Sequence, residues 1–204
     1  MHRAIRVLSA FVLSGLLWFL LSGVVLAYAS PGAASMTFLE NHQKVLQETL
    51  PSVRGTLTPG SPEEQAAIDR LKALFADLGA ENVKANLQKV YAPDTYFNDT
   101  LVEIRGAKAL EEHMVKTSQA VHSCKVDFID VVSKDGEYYL RWHMHILFKS
   151  LKKGEVQSSI GMTHMRFNPA GLVTYHQDYW DSTTHFFEKL PVLGGLLRLI
   201  KGAM

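Results

Sequence analysis

The sequence predicts an α+β domain in which helices come first along the chain and a run of hairpin-linked strands follows. Up to residue 120 the apolar residues recur with a period of about 3.6, as on one face of a helix. From His122 onward apolar and polar residues alternate with a period of two, and turn residues such as Lys134-Asp135-Gly136 separate the segments. Helices followed by strands predict an antiparallel sheet that is covered by helices on one face.

The composition fits one globular domain with some additional chain. Of the 204 residues 47% are hydrophobic and 20% are charged, which is ordinary globular usage. The net charge of +1 provides no field that would attract nucleic acid, so no nucleic-acid partner is expected. A single cysteine, Cys124, excludes a disulfide within one chain and a cysteine-clustered zinc site. We expect it to be a buried core thiol.

Residues 1–29 have the pattern of a targeting or anchoring segment. Arg3 and Arg6 precede a run of 23 residues without a charge, from Val7 to Ala29. Two interpretations stay open: a secretory signal peptide that is cleaved after Ala29, or a transmembrane helix. The length of the run slightly favours the anchor. Both interpretations place the domain on the extracytoplasmic side, either membrane-anchored or exported as a periplasmic or secreted protein.

The rest of the chain divides into a linker, a domain and a tail. Residues 30–61 are interpreted as a linker with a possible short helix, residues 62–182 as the domain, and residues 183–204 as an amphipathic helix. That last helix either docks on the domain or lies on a bilayer surface. The expected helices of the domain are 62–78, 82–91 and 106–120, with an extended piece at 96–99. The expected strands are 125–133, 138–148, 156–167 and 172–180.

Two histidine patterns are candidates for chemistry. His143 and His145 share one face of a strand but have no third ligand in the pattern, so no metal site is expected. No nucleotide-binding loop or hydrolase motif is present, and no cofactor is expected. In the last strand His176, Asp178 and Trp180 would project together on one face. Periodicity alone leaves open whether this face or the opposite one is buried.

Several motifs together resemble the nuclear transport factor 2-like (NTF2-like) superfamily, on its SnoaL-like and ketosteroid-isomerase side. They are residues 90–94 with 97–99, 105–107, 165–173 and 176–180, and the resemblance covers about residues 62–182. It implies a cone: a curved antiparallel sheet packed against three N-terminal helices, with a pocket at one end. The N-terminal transmembrane or signal helix would precede this cone.

The resemblance also implies roles for residues. Asp99 corresponds to the proton-shuttling aspartate of the isomerases, and Asp178 lies near the acid of the SnoaL-like aldol cyclases. With His176 they form a candidate acid/base set. Two positions depart from the isomerases, because their second acid falls at Thr163 and their oxyanion tyrosine falls nearest to Phe75. Steroid isomerisation is therefore not expected.

We thus expect a pocket for a small apolar or aromatic molecule. The residues expected to line it are Trp142, Met144, Met162 or Thr163, His176, Asp178 and Trp180. Its function would be isomerase, cyclase or lyase chemistry through Asp99 with His176 and Asp178. The alternative is a non-catalytic small-molecule-binding module, since one fold serves many functions. Members of the family pair through their sheets, and the resemblance therefore also implies a possible homodimer.

Overall fold

The computed structural model describes residues 31–151, 154–190 and 192–203. Within the described residues the chain divides into two compact units, with the boundary between residues 46 and 47. Helix α1 (Pro31–Glu48) is 18 residues long, so the short helix expected in the linker is instead a long one. The predicted signal peptide or anchor at 1–29 lies outside the described residues. Within the described ranges, no helix combines the length and the apolar character needed to cross a bilayer.

Four further helices precede or interrupt the sheet of the second unit. They are α2 (Pro51–Arg54), α3 (Pro62–Phe75), α4 (Ala80–Asn86), which continues as a 3₁₀ turn (Leu87–Lys89), and α5 (Ala107–Ser118). The start of α3 has the predicted cap, because Ser61 Oγ accepts a hydrogen bond from the Glu64 backbone N–H at 3.1 Å. The helix ends before the predicted Leu78 because the Leu78 N–H donates to the Cys124 carbonyl at 2.9 Å.

Six strands form one curved sheet in the order β2-β1-β6-β5-β4-β3. The strands are β1 (Tyr91–Asn98), β2 (Glu103–Arg105), β3 (Val121–Lys134), β4 (Glu137–Phe148), β5 (Val156–Phe167) and β6 (Val173–Trp180). Strand β1 pairs with β6 in parallel, whereas the other neighbours are antiparallel. The sheet is therefore mixed, and the expectation of a wholly antiparallel sheet was wrong. Parallel strands need a long crossover, which here runs through α5 and four strands and leaves no local signal.

The hydrophobic core lies between the helices and one face of the sheet, called the inner face below. Leu71 and Leu74 of α3 and Leu110 of α5 are at most 1% exposed, as are Leu140 of β4 and Met165 of β5. Burial of each such side chain stabilises the fold by about 1.5–3 kcal/mol. Residues 140, 142 and 144 of β4 and 163 and 165 of β5 face the core because strand side chains alternate.

The tail is helical but broken, where a single helix was expected. It forms α6 (Ser182–His185), a 3₁₀ turn (Phe187–Lys189) and α7 (Leu193–Gly202). The break has a local cause, because Leu190 precedes a proline and is extended, with φ −71° and ψ 138°. A residue before proline is disfavoured in the α-helical conformation.

Candidate functional site

A cavity of about 220 Å³ lies between the helices and the inner face of the sheet. Most of its lining is apolar and much of it is aromatic. The aromatic contributors are Phe75, Phe97, Phe128, Trp142, Phe148, Trp180 and Phe186. They come from α3, from strands β1, β3, β4 and β6, and from the tail. A small apolar or planar molecule is the ligand such a surface favours.

One carboxylate, Asp178, meets this cavity through a chain of neutral hydrogen bonds. The Trp142 indole Nε1–H donates to Thr163 Oγ1 at 2.9 Å, and the Thr163 hydroxyl donates to Asp178 Oδ1. The Asp178 side chain is 16% exposed. Thr163 pairs with Asp178 across β5 and β6, and Trp142 lies on the adjacent strand β4. The register of strands β4, β5 and β6 thus places these three side chains next to one another.

His176 lies beneath Asp178 and away from the cavity surface. Its side chain is 2% exposed, and Nε2 is 3.0 Å from Asp178 Oδ1. Its Nδ1 is 2.9 Å from the Tyr91 hydroxyl. Burial and then the negative charge of Asp178 raise the pKa of Tyr91, so the phenol stays protonated. A neutral imidazole here donates from Nε2 to Asp178 and accepts at Nδ1 from Tyr91.

Asp99 lines the same cavity but belongs to a separate set of hydrogen bonds. It lies in the turn after β1, where Oδ1 accepts from the N–H groups of Leu101 and Val102, both at 2.9 Å. The Trp180 indole Nε1–H donates to the Asp99 carbonyl at 2.7 Å. The structure therefore places Asp99 and Asp178 on one cavity wall, and it places His176 behind Asp178 instead of between them.

The predicted ligand-binding residues fall as follows. Trp142, Met144, Thr163 and Trp180 line the cavity, and Met162 lies on the opposite face with 37% exposure. Of the two alternatives expected to line the cavity, Met162 and Thr163, it is therefore Thr163 that does so. Sequence reasoning missed Tyr91 and Phe186. Tyr91 was assigned to the end of a helix, and its hydrogen bond to His176 spans 85 positions along the chain, which no local pattern could signal.

The titratable side chains in the cavity wall include two carboxylates, Asp99 and Asp178, and one imidazole, His113. Among the described lining residues there is no lysine or arginine. Cys124 also lines the cavity, but burial, with a smaller contribution from Asp77, raises its pKa to about 12, which keeps it a thiol. Within the described ranges, no group of three His, Cys, Asp or Glu side chains is arranged to hold a metal ion.

Comparison with known families agrees with this fold. A model of the SnoaL-like domain matches residues 71–176. The chain belongs to the SnoaL-like domain family, within the NTF2-like fold. Among functionally curated proteins, no significant match to the sequence was found.

Solved structures with this fold are distant in sequence. An LEH-like epoxide hydrolase of M. tuberculosis has a TM-score of 0.52 and 14% identity, covering 71% of this chain and 96% of its own. A putative SnoaL-like polyketide cyclase from Shewanella denitrificans has a TM-score of 0.50 and 20% identity, covering 61% and 94%. A ketosteroid isomerase-like protein from Catenulispora acidiphila, in complex with trimethylamine, has a TM-score of 0.51 and 13% identity, covering 61% and 90%. These similarities concern the fold.

Proposed function

We propose that this chain catalyses proton transfer on a small apolar or aromatic molecule, in isomerase, cyclase or lyase chemistry, with Asp178 as the acid/base group. One observation carries the proposal: a carboxylate with no lysine or arginine among its described partners faces a mostly apolar cavity. A polar group in such a place costs free energy unless it has a partner or a function. A partly buried carboxylate can remove a proton next to an electron-withdrawing group and return it elsewhere.

The two carboxylate oxygens of Asp178 differ in their hydrogen bonds. Thr163 and His176 both bond to Oδ1. In the described contacts Oδ2 is thus the oxygen left for a ligand. We assign His176 as a positioning residue, which holds the carboxylate and is itself held by Tyr91. Asp99 provides a second carboxylate on the same wall, which would take up or return the proton at a different ligand atom.

The proton-transfer proposal is tested with 5-nitrobenzisoxazole, a planar molecule that a single base opens by removing its ring C–H proton. Wild-type protein should open it at least a hundredfold faster than Asp178→Asn, because a positioned base contributes about 10²–10⁴-fold. Asp99→Asn should show a smaller loss. The matched control is Asp130→Asn, which removes an exposed carboxylate that is ion-paired with Arg141 outside the cavity. Naphthalene binding, followed by tryptophan fluorescence, should stay within a fewfold in all three variants.

The alternative is a non-catalytic binding module, and one observation favours it. Several hydrogen-bond donors on the cavity wall bond within the protein: the Trp142 and Trp180 indoles, the Thr163 hydroxyl and the Ser118 hydroxyl, which donates to the Val115 carbonyl. A missing oxyanion donor costs about 3–4 kcal/mol in comparable enzymes. If wild type and Asp178→Asn open the benzisoxazole equally slowly while Trp180→Ala weakens naphthalene binding, the chain is a binding module.

We further propose that the domain lies on the extracytoplasmic side, membrane-anchored or exported. The support is the 23-residue uncharged run after Arg3 and Arg6. N-terminal sequencing of the protein recovered from cells distinguishes the two forms, since a cleaved signal leaves Ser30 as the first residue. A protein that starts at Met1 and resists alkaline extraction from membranes is anchored. A protein that starts at Met1 and stays in the cytoplasm contradicts both.

A homodimer through the outer face of the sheet is the remaining proposal from the sequence. Ile160, Met162 and Tyr179 on that face are 61%, 37% and 48% exposed. Exposed apolar side chains that cluster on one face are typical of interfaces. Light scattering on the purified full chain should give twice the monomer mass, and Ile160→Lys should return it to the monomer mass.

A further inference from the structure

Helix α7 turns its apolar side outward. Leu196, Leu199 and Ile200 follow a helical i, i+3, i+4 spacing and are 43%, 72% and 49% exposed. Leu193, at the start of the same face, is 37% exposed. A surface helix of a globular protein normally turns its apolar stripe toward the core. The orientation of α7 is the reverse.

The opposite side of α7 carries Gly194, Leu197, Arg198 and Lys201 and holds the helix to the preceding turn. The Arg198 guanidinium donates to the Glu188 carbonyl at 3.0 Å, and Lys201 Nζ lies 2.5 Å from the Glu188 carboxylate. Gly194 allows this close approach, because a Cβ there would lie 2.1 Å from the Glu188 carbonyl oxygen. These contacts fix the outward direction of the leucines.

The charges indicate what covers this face. From Glu188 to residue 204 the sequence carries one acidic residue, Glu188, and three basic ones, Lys189, Arg198 and Lys201. Lys201 is ion-paired with Glu188, so this segment keeps a net positive charge, which anionic lipid headgroups would complement. Ten residues of helix span about 15 Å, which is half of a bilayer core of about 30 Å, so α7 could lie on a membrane but not cross it.

We propose that α7 docks on an anionic lipid surface. Leu196, Leu199 and Ile200 enter the boundary between headgroups and acyl chains, and the basic residues behind them reach the lipid phosphates. Phe186 lines the cavity, and it directly precedes the 3₁₀ turn (Phe187–Lys189) that holds α7. The contact would therefore bring one cavity wall close to lipid. This proposal does not depend on the acid/base proposal.

The test places an environment-sensitive fluorophore on Leu199→Cys in the full chain carrying Cys124→Ala, synthesised in the presence of lipid nanodiscs. Nitroxide groups on the lipid acyl chains should quench this label strongly, and aqueous iodide should quench it weakly. The lipid quenching should fall at least twofold when phosphatidylcholine alone replaces a mixture with phosphatidylglycerol. The matched control is a label on Glu155→Cys, an exposed site outside the tail, which only iodide should reach.

A second substitution tests the face itself. Leu196→Glu should reduce lipid quenching at position 199 at least twofold without changing the thermal midpoint, because residue 196 is exposed. Two outcomes overturn the proposal. If iodide reaches the label at 199 as well as the one at 155, the face is open to water. If neither quencher reaches it, protein covers it, either a second copy or another segment of this chain.

Discussion

Two clusters, each pairing a histidine with a carboxylate, lie on opposite faces of the same sheet. On the inner face His176 meets Asp178 in the cavity wall, at 3.0 Å. On the outer face His164 Nε2 lies 2.5 Å from Glu137, and Arg166 also donates to that carboxylate at 2.8 Å. The difference is the arginine, which compensates the outer carboxylate, whereas the described partners of the inner one are a threonine and a histidine.

The compensation has a visible electrostatic effect. Burial raises the pKa of Glu137, but hydrogen bonds from Arg166 and His164 lower it further, so the net shift is downward. A carboxylate held in its charged form by a guanidinium is suited to structure. A carboxylate in an apolar wall with neutral donors can exchange a proton with a ligand. The comparison therefore assigns stability to the outer cluster, and the inner carboxylate is the one that the proposed proton transfer would use.

Removing the arginine should give the largest loss of stability. Arg166 is 4% exposed, and it also donates to Thr49 Oγ1 at 2.7 Å. Arg166→Met leaves the Glu137 charge poorly compensated, and breaking a buried pair in this way costs about 3–5 kcal/mol. Urea unfolding measures this loss as a lower free energy of unfolding. The control is Arg141→Met, whose ion pair with Asp130 is exposed and should cost less than about 1 kcal/mol. Equal losses in the two variants would remove the distinction.

On the inner face the sharpest packing test is Gly161→Ala. A Cβ at residue 161 would lie 2.4 Å from the Trp142 ring, which must then shift and strain its hydrogen bond to Thr163. Overpacking of this kind costs about 1–3 kcal/mol. The variant should also bind naphthalene at least tenfold more weakly. Gly195→Ala is the control, since no atom lies within 4 Å of a Cβ there, and it should leave both quantities unchanged or stability slightly higher. Unchanged binding in Gly161→Ala would mean that Trp142 does not shape the cavity.

How far the sequence predicts the fold depends on whether the signal is local. Strand β5 was predicted with both ends correct, and β4 with its C-terminal end correct, because alternation and glycine turns are local. The parallel pairing of β1 with β6 was missed, because residues 91 and 173 meet only in the folded sheet. In residues 30–61 the sequence predicted a linker with a possible short helix, whereas α1 begins at Pro31 and is 18 residues long, since proline is favoured in a first helical turn.

The candidate site follows the same division. Period two put His176, Asp178 and Trp180 on one face, and the family resemblance selected that face as the one toward the pocket. It could not show that His176 lies behind Asp178, because depth within a wall depends on packing by distant residues. Phe97 packs on the His176 ring with centroids 4.6 Å apart, and Tyr91 reaches it from β1.

An alkaline titration tests whether the Cys124 thiol is buried in the cavity wall. The pKa of Cys124 is raised from 9.0 to about 12, so the folded protein holds this proton where the unfolded chain loses it. Its contribution to stability is complete below about pH 9 and is lost as the pH rises toward 12, by at most about 1.4 kcal/mol per pH unit. Wild type should therefore lose stability more steeply than Cys124→Ala between pH 9 and 11 in urea unfolding. Parallel curves would show that the thiol is not buried in the wall.

The smallest effect on stability and rate should come from Tyr91, which contacts His176 at the ring nitrogen that does not face Asp178. Tyr91→Phe removes the hydroxyl that lies 2.9 Å from His176 Nδ1 and leaves that nitrogen without this partner. One lost hydrogen bond of this kind costs about 1 kcal/mol. Because Asp178 still accepts from Nε2, the variant should keep the Nε2–H tautomer in ¹⁵N NMR and open 5-nitrobenzisoxazole within a fewfold of wild type. If the tautomer changes instead and the rate falls as far as in Asp178→Asn, Tyr91 sets the proton position on His176, and the histidine then does more than hold the carboxylate.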